Sequence, residues 1–454
     1  MYHFYSIFMK YSRFNRQLTA AILLALILIA RTASAQSNAI RYEEYDLANG
    51  LHVILHQDKS APVVATVLHY RVGSRDENPQ RTGFAHFFEH LMFEATDDIP
   101  RATIDKHVEG AGGSLNAYTS FDETVYHFQL PANEIKLALW IESERMRKLH
   151  VEKAGVETQR GVVKEERKNR YENTPYGGWN EKMYRNLFQG GSYSWTPIGS
   201  AQHIDNASIS EFQEFYNKFY QPNNGTLVIA GDFDIKQVKE FVEAYFGIYP
   251  KGVEIKREEF KLPEITGEYR ETVEDNKAQL PAVYIGYRGP KKGHQDSYAI
   301  DMLNTILSGG QSSRIYQRLV DKDQIAVQAG SFNQDLQYAG MLVALGIVAP
   351  GKSSGDVERA IYEEIEKIKK DGVTDEEFQK AKNTQEDKFI FGKKNVLEKA
   401  EALAQYHTYF GKASVINTEL DNYAKITKAD LQRVAKQYFA ADKRVVITYV
   451  PKAK

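Results

Sequence analysis

The spacing of apolar positions predicts a chain that interleaves strands and helices. Alternating or near-continuous apolar runs at 63–72, 114–119 and 124–130 read as strands. Apolar positions three and four apart at 135–148 and 154–170 read as helices. No heptad is sustained long enough for a coiled coil or a helical array. An amphipathic stretch from Glu211 to Tyr220, a Pro222-Asn223-Asn224-Gly225 turn and an apolar run from Thr226 recur as Asp430 to Phe439, a turn and a run from Val445. The offset is 219 residues at both ends of this unit, close to half the chain, and a duplication follows. The expected fold class is α+β. Two homologous domains each carry an antiparallel sheet with helices packed on it. Residues 250–263 are charged and lack a clear period. The predicted division is therefore 36–250, a linker at 251–266, and 267–454.

The first 35 residues stand outside this pattern. Lys10, Arg13 and Arg16 precede an unbroken apolar run of 11 residues from Ala20 to Ala30, and Ala33-Ser34-Ala35 follows. A basic start, a short apolar centre and a small-residue end make a secretory signal peptide, with cleavage expected after Ala35. The run is too short for a membrane span, which needs ~20 apolar residues. A bacterial periplasmic or secreted location follows. Removing Lys10, Arg13, Arg16 and Arg31 leaves 54 basic against 60 acidic residues, so the mature chain is mildly acidic. With 42% hydrophobic residues and no basic stripe it is neither disordered nor a nucleic-acid binder. It has no cysteine. Disulfides, thiol nucleophiles and cysteine-ligated metals are thereby excluded, and any metal must sit on His, Asp or Glu.

One segment concentrates the chemistry. His86, Glu89 and His90 stand at i, i+3 and i+4 in Gly83-Phe84-Ala85-His86-Phe87-Phe88-Glu89-His90-Leu91-Met92-Phe93. On a helix they share one face. Two imidazoles so placed can hold one zinc ion, with the carboxylate between them beside its open position. Phe87, Phe88, Leu91 and Met92 form an apolar flank. A catalytic zinc takes a third protein ligand from another element. Glu165 and Glu166, in Val162-Val163-Lys164-Glu165-Glu166, are candidates. They point about 100° apart on a helix, so only one can face the ion. Gly112-Gly113 before the predicted strand at 114–119 allows close backbone approach, and a peptide can add to the edge of such a strand. Glu123, just beyond, reads as a solvated turn residue. The aromatic, Gly- and Asn-rich stretch 171–195 reads as a long irregular segment, either over a cleft or packed on the surface.

These motifs, with Gly112-Gly113-Ser114-Leu115-Asn116-Ala117-Tyr118-Thr119-Ser120 and Gly309-Gly310-Gln311-Ser312-Ser313-Arg314, run in order along the whole mature chain. In them the chain resembles the pitrilysin, insulin-degrading enzyme and mitochondrial processing peptidase family of zinc peptidases, the inverted zincins. The resemblance implies half of a clamshell, with one zinc held by His86, His90 and Glu166 and with Glu89 as general base. It implies substrate contacts at Asn116 and Ala117, with Tyr118 beside them. The activity implied is hydrolysis of peptides or unfolded segments. The alternative is a catalytically silent scaffold or metal-binding member of the same family. Two departures stand out. Family members often carry a second acid seven residues before the ligand glutamate, where this chain has Gln159. Self-sufficient members also supply an arginine and, seven residues on, a tyrosine after the Gly-Gly-x-Ser-Ser-Arg stretch. Here those positions are Val320 and Val327. The chain is thus similar to the zinc-bearing subunit of a two-chain peptidase. Its expected partner is a homologous zinc-less subunit that supplies the Arg/Tyr pair, or failing that a second copy of itself.

Overall fold

The computed structural model describes residues 39–452 apart from residue 258, so the expected signal segment lies outside the described residues. Residues 39–41 belong to a leading unit, Met1–Arg41; everything below concerns the unit Tyr42–Lys454. Two sheets organise that unit. The first contains β1 (Glu43–Asp46), β2 (His52–Gln57), β3 (Val63–Tyr70), β4 (Ser114–Thr119), β5 (Thr124–Pro131) and β6 (Gly225–Gly231), in the order β1-β2-β6-β3-β5-β4. The second contains β7 (Tyr269–Asp275), β8 (Ala282–Gly289), β9 (Ala326–Asp335), β10 (Gly340–Val348) and β11 (Arg444–Pro451), in the order β7-β11-β8-β10-β9. The pairing is antiparallel except for one parallel pair in each sheet, β2 with β6 and β7 with β11. Those parallel neighbours are far apart in sequence, as a parallel pair requires.

The duplication is visible residue by residue. The helix Ile209–Phe219 has its counterpart in Lys428–Tyr438, the turn Pro222–Asn224 in Ala441–Lys443, and the first residue of β6 in the first residue of β11, all 219 apart. Even the reciprocal helix caps match: Ser208 with Glu211, and Thr427 with Asp430. In each cap the hydroxyl accepts from the third-residue N–H while that residue's carboxylate accepts from the cap N–H.

Each sheet buries one face under its own helices. In the first sheet Val53, Leu55, Leu68, Tyr70, Tyr126 and Phe128 turn toward helices that include Phe84–Leu91 and Ile135–Arg147. The opposite faces are covered reciprocally. The helix Val396–Phe410 lies over β3 and β6 of the first sheet, while the helix Trp179–Leu187 lies over β8 and β11 of the second. Residues 179–187 shifted by 219 fall inside 396–410, so the duplicated helices have exchanged sheets. The approach is close: a Cβ on Gly286 would stand 2.0 Å from Met183 Sδ.

Two expectations change here. The stretch 171–195 is not irregular throughout, because Trp179, Met183, Tyr184, Leu187 and Phe188 form a helical stripe against the second sheet. Gly and Asn around them masked that period. Glu123 is not a solvated turn residue: it is buried and its Oε2 lies 2.7 Å from His69 Nε2. Residues 247–268 hold no helix or strand among those described, yet they are firmly attached. Arg257 donates to Asp76, to the Arg71 carbonyl and, at 2.9 Å, to Asn224 Oδ1. The Phe260 ring stacks on Tyr338 at 4.9 Å.

Candidate metal centre

The helix Phe84–Leu91 is short and strongly two-sided. Phe84, Phe87, Phe88 and Leu91 recur at helical spacing and are fully buried or nearly so. Phe87 stacks on Phe212 at 4.6 Å and Phe88 on Phe215 at 5.5 Å, both rings from the helix Ile209–Phe219. The Tyr126 hydroxyl of β5 donates to the Phe88 carbonyl at 3.0 Å, which pins the helix to the sheet. Its opposite side presents His86, Glu89 and His90.

The start of this helix is held from a distance. Gly83 has φ +97°, where a side chain is strained, and its first turn carries no local side-chain cap. Glu77 takes that role, accepting from Gly83 N at 2.9 Å, Ala85 N at 2.8 Å and Trp195 Nε1 at 3.0 Å. Burial pushes the Glu77 carboxyl up to about 8, against the pull of those three donors. Neither Glu77 nor Trp195 carries a spacing signal in the sequence, since each meets the helix through the fold.

The third group arrives from the helix Lys153–Arg167. Its buried Val156 and Val163 seat it on the core, and Glu166 in its last turn faces the histidines. Glu166 Oε2 lies 3.1 Å from His90 Nε2, and Oε1 lies 3.5 Å from His86 Nε2. The three ligand atoms all fall within 4.8 Å of one another. Ligand atoms around a tetrahedral zinc stand about 3.4 Å apart, given bonds of ~2.1 Å. The two Glu166–histidine separations are close to that edge length, and the donor set of two imidazoles and a carboxylate suits zinc. Glu165 points outward, 3.7 Å from Lys168 Nζ. Directly after Glu166 the helix widens into an i to i+5 turn, Lys168–Glu172, a form common at functional sites. This turn places Arg170 Nη2 2.9 Å from Glu166 Oε1. Burial acts to raise the Glu166 carboxyl, but His86, His90 and Arg170 outweigh it and hold the group well below the usual carboxylate range.

Glu89 is half-buried beside this group, and among the described residues nothing hydrogen-bonds to its carboxylate. Gln159 does not reach Glu166. Its amide donates to Glu94 Oε1 at 2.7 Å, and Arg101 grips the same carboxylate. β4 forms one edge of its sheet and lies against the Phe84–Leu91 helix. Ala117 turns toward that helix; Asn116 and Tyr118 turn to the other face. Asn116 is exposed, with Oδ1 accepting from Ala117 N at 2.9 Å. The Tyr118 hydroxyl accepts from Gln405 Nε2 at 3.3 Å, so its ring is engaged by the exchanged helix. In the second half Val320 packs on the core, whereas Val327 on edge strand β9 is 51% exposed. Neither has a hydrogen-bonding side chain.

The arrangement has clear relatives. Residues 52–194 match the family described as Insulinase (Peptidase family M16), and residues 206–385 match the one described as Peptidase M16 inactive domain. The zinc protease PqqE of Helicobacter pylori is 30% identical over 418 residues, which is 91% of this chain and 94% of that one. An uncharacterized zinc protease of Bacillus subtilis, YmxG, is 22% identical over 88% of this chain and 96% of its own. Among solved structures, a protease from Helicobacter pylori superposes with a TM-score of 0.87 at 29% identity, covering 91% of this chain and 100% of that one. The first half of the periplasmic protease PqqL from Escherichia coli superposes with a TM-score of 0.74 at 20% identity over 91% and 92%, a likeness of fold. The chain therefore belongs to peptidase family M16, the insulinase family.

Proposed function

We propose that this peptidase is a zinc metalloendopeptidase acting on peptides or unfolded segments, with His86, His90 and Glu166 as zinc ligands and Glu89 as general base. The observation that carries the reading is the convergence of three ligand atoms beside an unengaged glutamate, on the flank of a free strand edge. Bound zinc supplies Lewis acidity toward a scissile carbonyl and toward water. Glu89 accepts the proton of the attacking water and delivers it to the leaving amine nitrogen. The β4 edge binds the peptide in extended form through main-chain hydrogen bonds, with Asn116, Ala117 and Tyr118 as the nearest contacts. Arg170 holds the Glu166 carboxylate ionised and oriented.

Metal analysis tests the ligand set. His86→Ala, His90→Ala and Glu166→Ala are each expected to cut zinc affinity by at least ~10²-fold, because three ligands become two. Any one of them retaining wild-type affinity would remove that residue from the set.

The finer reading concerns assembly. Preorganised donors to a developing oxyanion are worth about 10²–10³ in turnover, and Val320 and Val327 donate nothing. We therefore place this chain as the zinc-bearing subunit of a two-chain enzyme, paired with a homologous zinc-less chain that brings an arginine and a tyrosine. The purified chain is expected to cleave a quenched-fluorescent peptide library weakly. Its rate should rise by at least about 10²-fold with extract of its native cells. Full activity without a partner, as a monomer or homodimer, would refute the two-chain reading and leave the metal site standing. The same proposal takes 36–250 as the metal-bearing domain, 251–266 as linker and 267–454 as its homologue. It also places the enzyme in the periplasm or outside the cell, on the signal-like residues 1–35. Among the described residues no helix is long and apolar enough to cross a membrane.

A further inference from the structure

The sheet face under the exchanged helix carries histidines that peptide hydrolysis does not use. His52 lies on β2, and His407 lies on the helix Val396–Phe410. Their rings stack with centroids 3.6 Å apart and planes 10° apart. Asp46 stands opposite His52 in the β1–β2 pair, and its Oδ1 lies 2.8 Å from His52 Nδ1. In the tautomer where Nδ1 donates to Asp46, Nε2 presents the ring's lone pair. That Nε2 is buried and has no hydrogen-bond partner. Glu44 Oε2 is 3.5 Å from it. Glu44, His52 and His407 each offer a ligand atom within 4.8 Å of the others. All three border an open groove of about 710 Å³, so an ion and its remaining waters have a way in.

We infer a second metal site here, for a divalent transition metal of the zinc, nickel and copper class, held by Glu44, His52 and His407. Two imidazoles with one carboxylate select that class over calcium or magnesium. The Asp46–His52 contact is the carboxylate–histidine arrangement that fixes tautomer and ring direction in metal sites. The parallel rings must tilt out of their stack for both lone pairs to meet one ion, so binding replaces the stack with two coordination bonds. Glu44 and His52 belong to the first sheet, whereas His407 rides on the helix contributed by the second half. An ion between them therefore staples the exchanged helix to the β1–β2 edge. The inference stands apart from the peptidase reading and uses none of its residues.

The test is equilibrium dialysis of the tag-free mature chain against micromolar free zinc, with elemental analysis. Wild type is expected to hold two zinc ions per chain. His407→Ala, His52→Ala and Glu44→Gln are each expected to hold one, and so is His86→Ala, which removes the other site. Equal zinc content in wild type, His407→Ala and Glu44→Gln overturns the inference. Zinc content unchanged by His86→Ala alone overturns the hydrolytic ligand set and leaves this one standing. Glu44→Gln keeps the size of a surface residue, which guards against loss through misfolding. As a second readout, zinc should raise the melting temperature of His86→Ala and leave that of His86→Ala/His407→Ala unmoved. An equal rise in both proteins overturns the staple.

Discussion

Glu89→Gln should keep its zinc and lose turnover by about 10²–10⁴-fold, the range that a positioned general base contributes. The amide has nearly the shape of the carboxylate, and Glu89 is not among the converging ligand atoms. The helix Phe84–Leu91 is fixed by its aromatic underside and by Glu77, neither of which the substitution touches. What changes is the ability to take a proton from water. The measurement pairs metal content with peptide cleavage in the presence of native extract. Metal at the wild-type level with cleavage near background is the expected result. Cleavage within a few-fold of wild type in the zinc-loaded variant would end the base assignment. Substitution of a ligand gives the opposite signature, with metal and activity lost together.

Arg145→Met should destabilise the fold by about 3–5 kcal/mol, the cost of leaving a buried charge without its partner. Arg145 is 1% exposed and Glu142 is 0% exposed. They meet through two bonds, Nε to Oε2 at 2.8 Å and Nη2 to Oε1 at 2.6 Å. The guanidinium also lies over the Tyr126 ring at 4.3 Å and the Phe128 ring at 5.1 Å. Burial raises the Glu142 carboxyl, with Arg145 pulling it back; without the arginine it must protonate or stay charged in an apolar core. That loss is a large part of a typical stability of about 5–15 kcal/mol. The effect should reach the metal centre too, because Tyr126 links Arg145 to the Phe88 carbonyl. Urea titration checks the magnitude. A shift below about 1 kcal/mol would show that the pair is dispensable. The double variant Glu142→Leu/Arg145→Met should recover much of the loss, since no unpaired charge then remains.

What the sequence revealed and what it hid follow from range. His86, Glu89 and His90 were legible because a helix brings residues three and four apart onto one face. Glu166 was legible as one of two adjacent acids, and it is the one whose carboxylate reaches the histidines, because Val156 and Val163 on its helix fix which side is buried. The duplication was legible because both copies kept the same cap chemistry at the same offset. Pairings between distant single residues were not legible. Glu77 meets Ala85 and Trp195 only after folding, and Glu123 looked like a turn residue until β3 brought His69 against it. In the linker, Arg257 bonds to Asp76, to the Arg71 carbonyl and to the Asn224 side chain, contacts that no local pattern announces. The exchange of helices was hidden for a related reason. An amphipathic stripe declares that a helix will be covered; it does not declare by which sheet.

That exchange sets the order of events during synthesis. The first sheet is complete once β6 has been made, yet its His52, His69 and His127 face stays bare until residues 396–410 follow. Until then Ile54, Val67 and Val228 on that face have nothing to pack against. The first half thus stays open, with apolar side chains uncovered, from the completion of β6 until residues 396–410 follow near the end of the chain. Such delay leaves the nascent polypeptide in need of a chaperone.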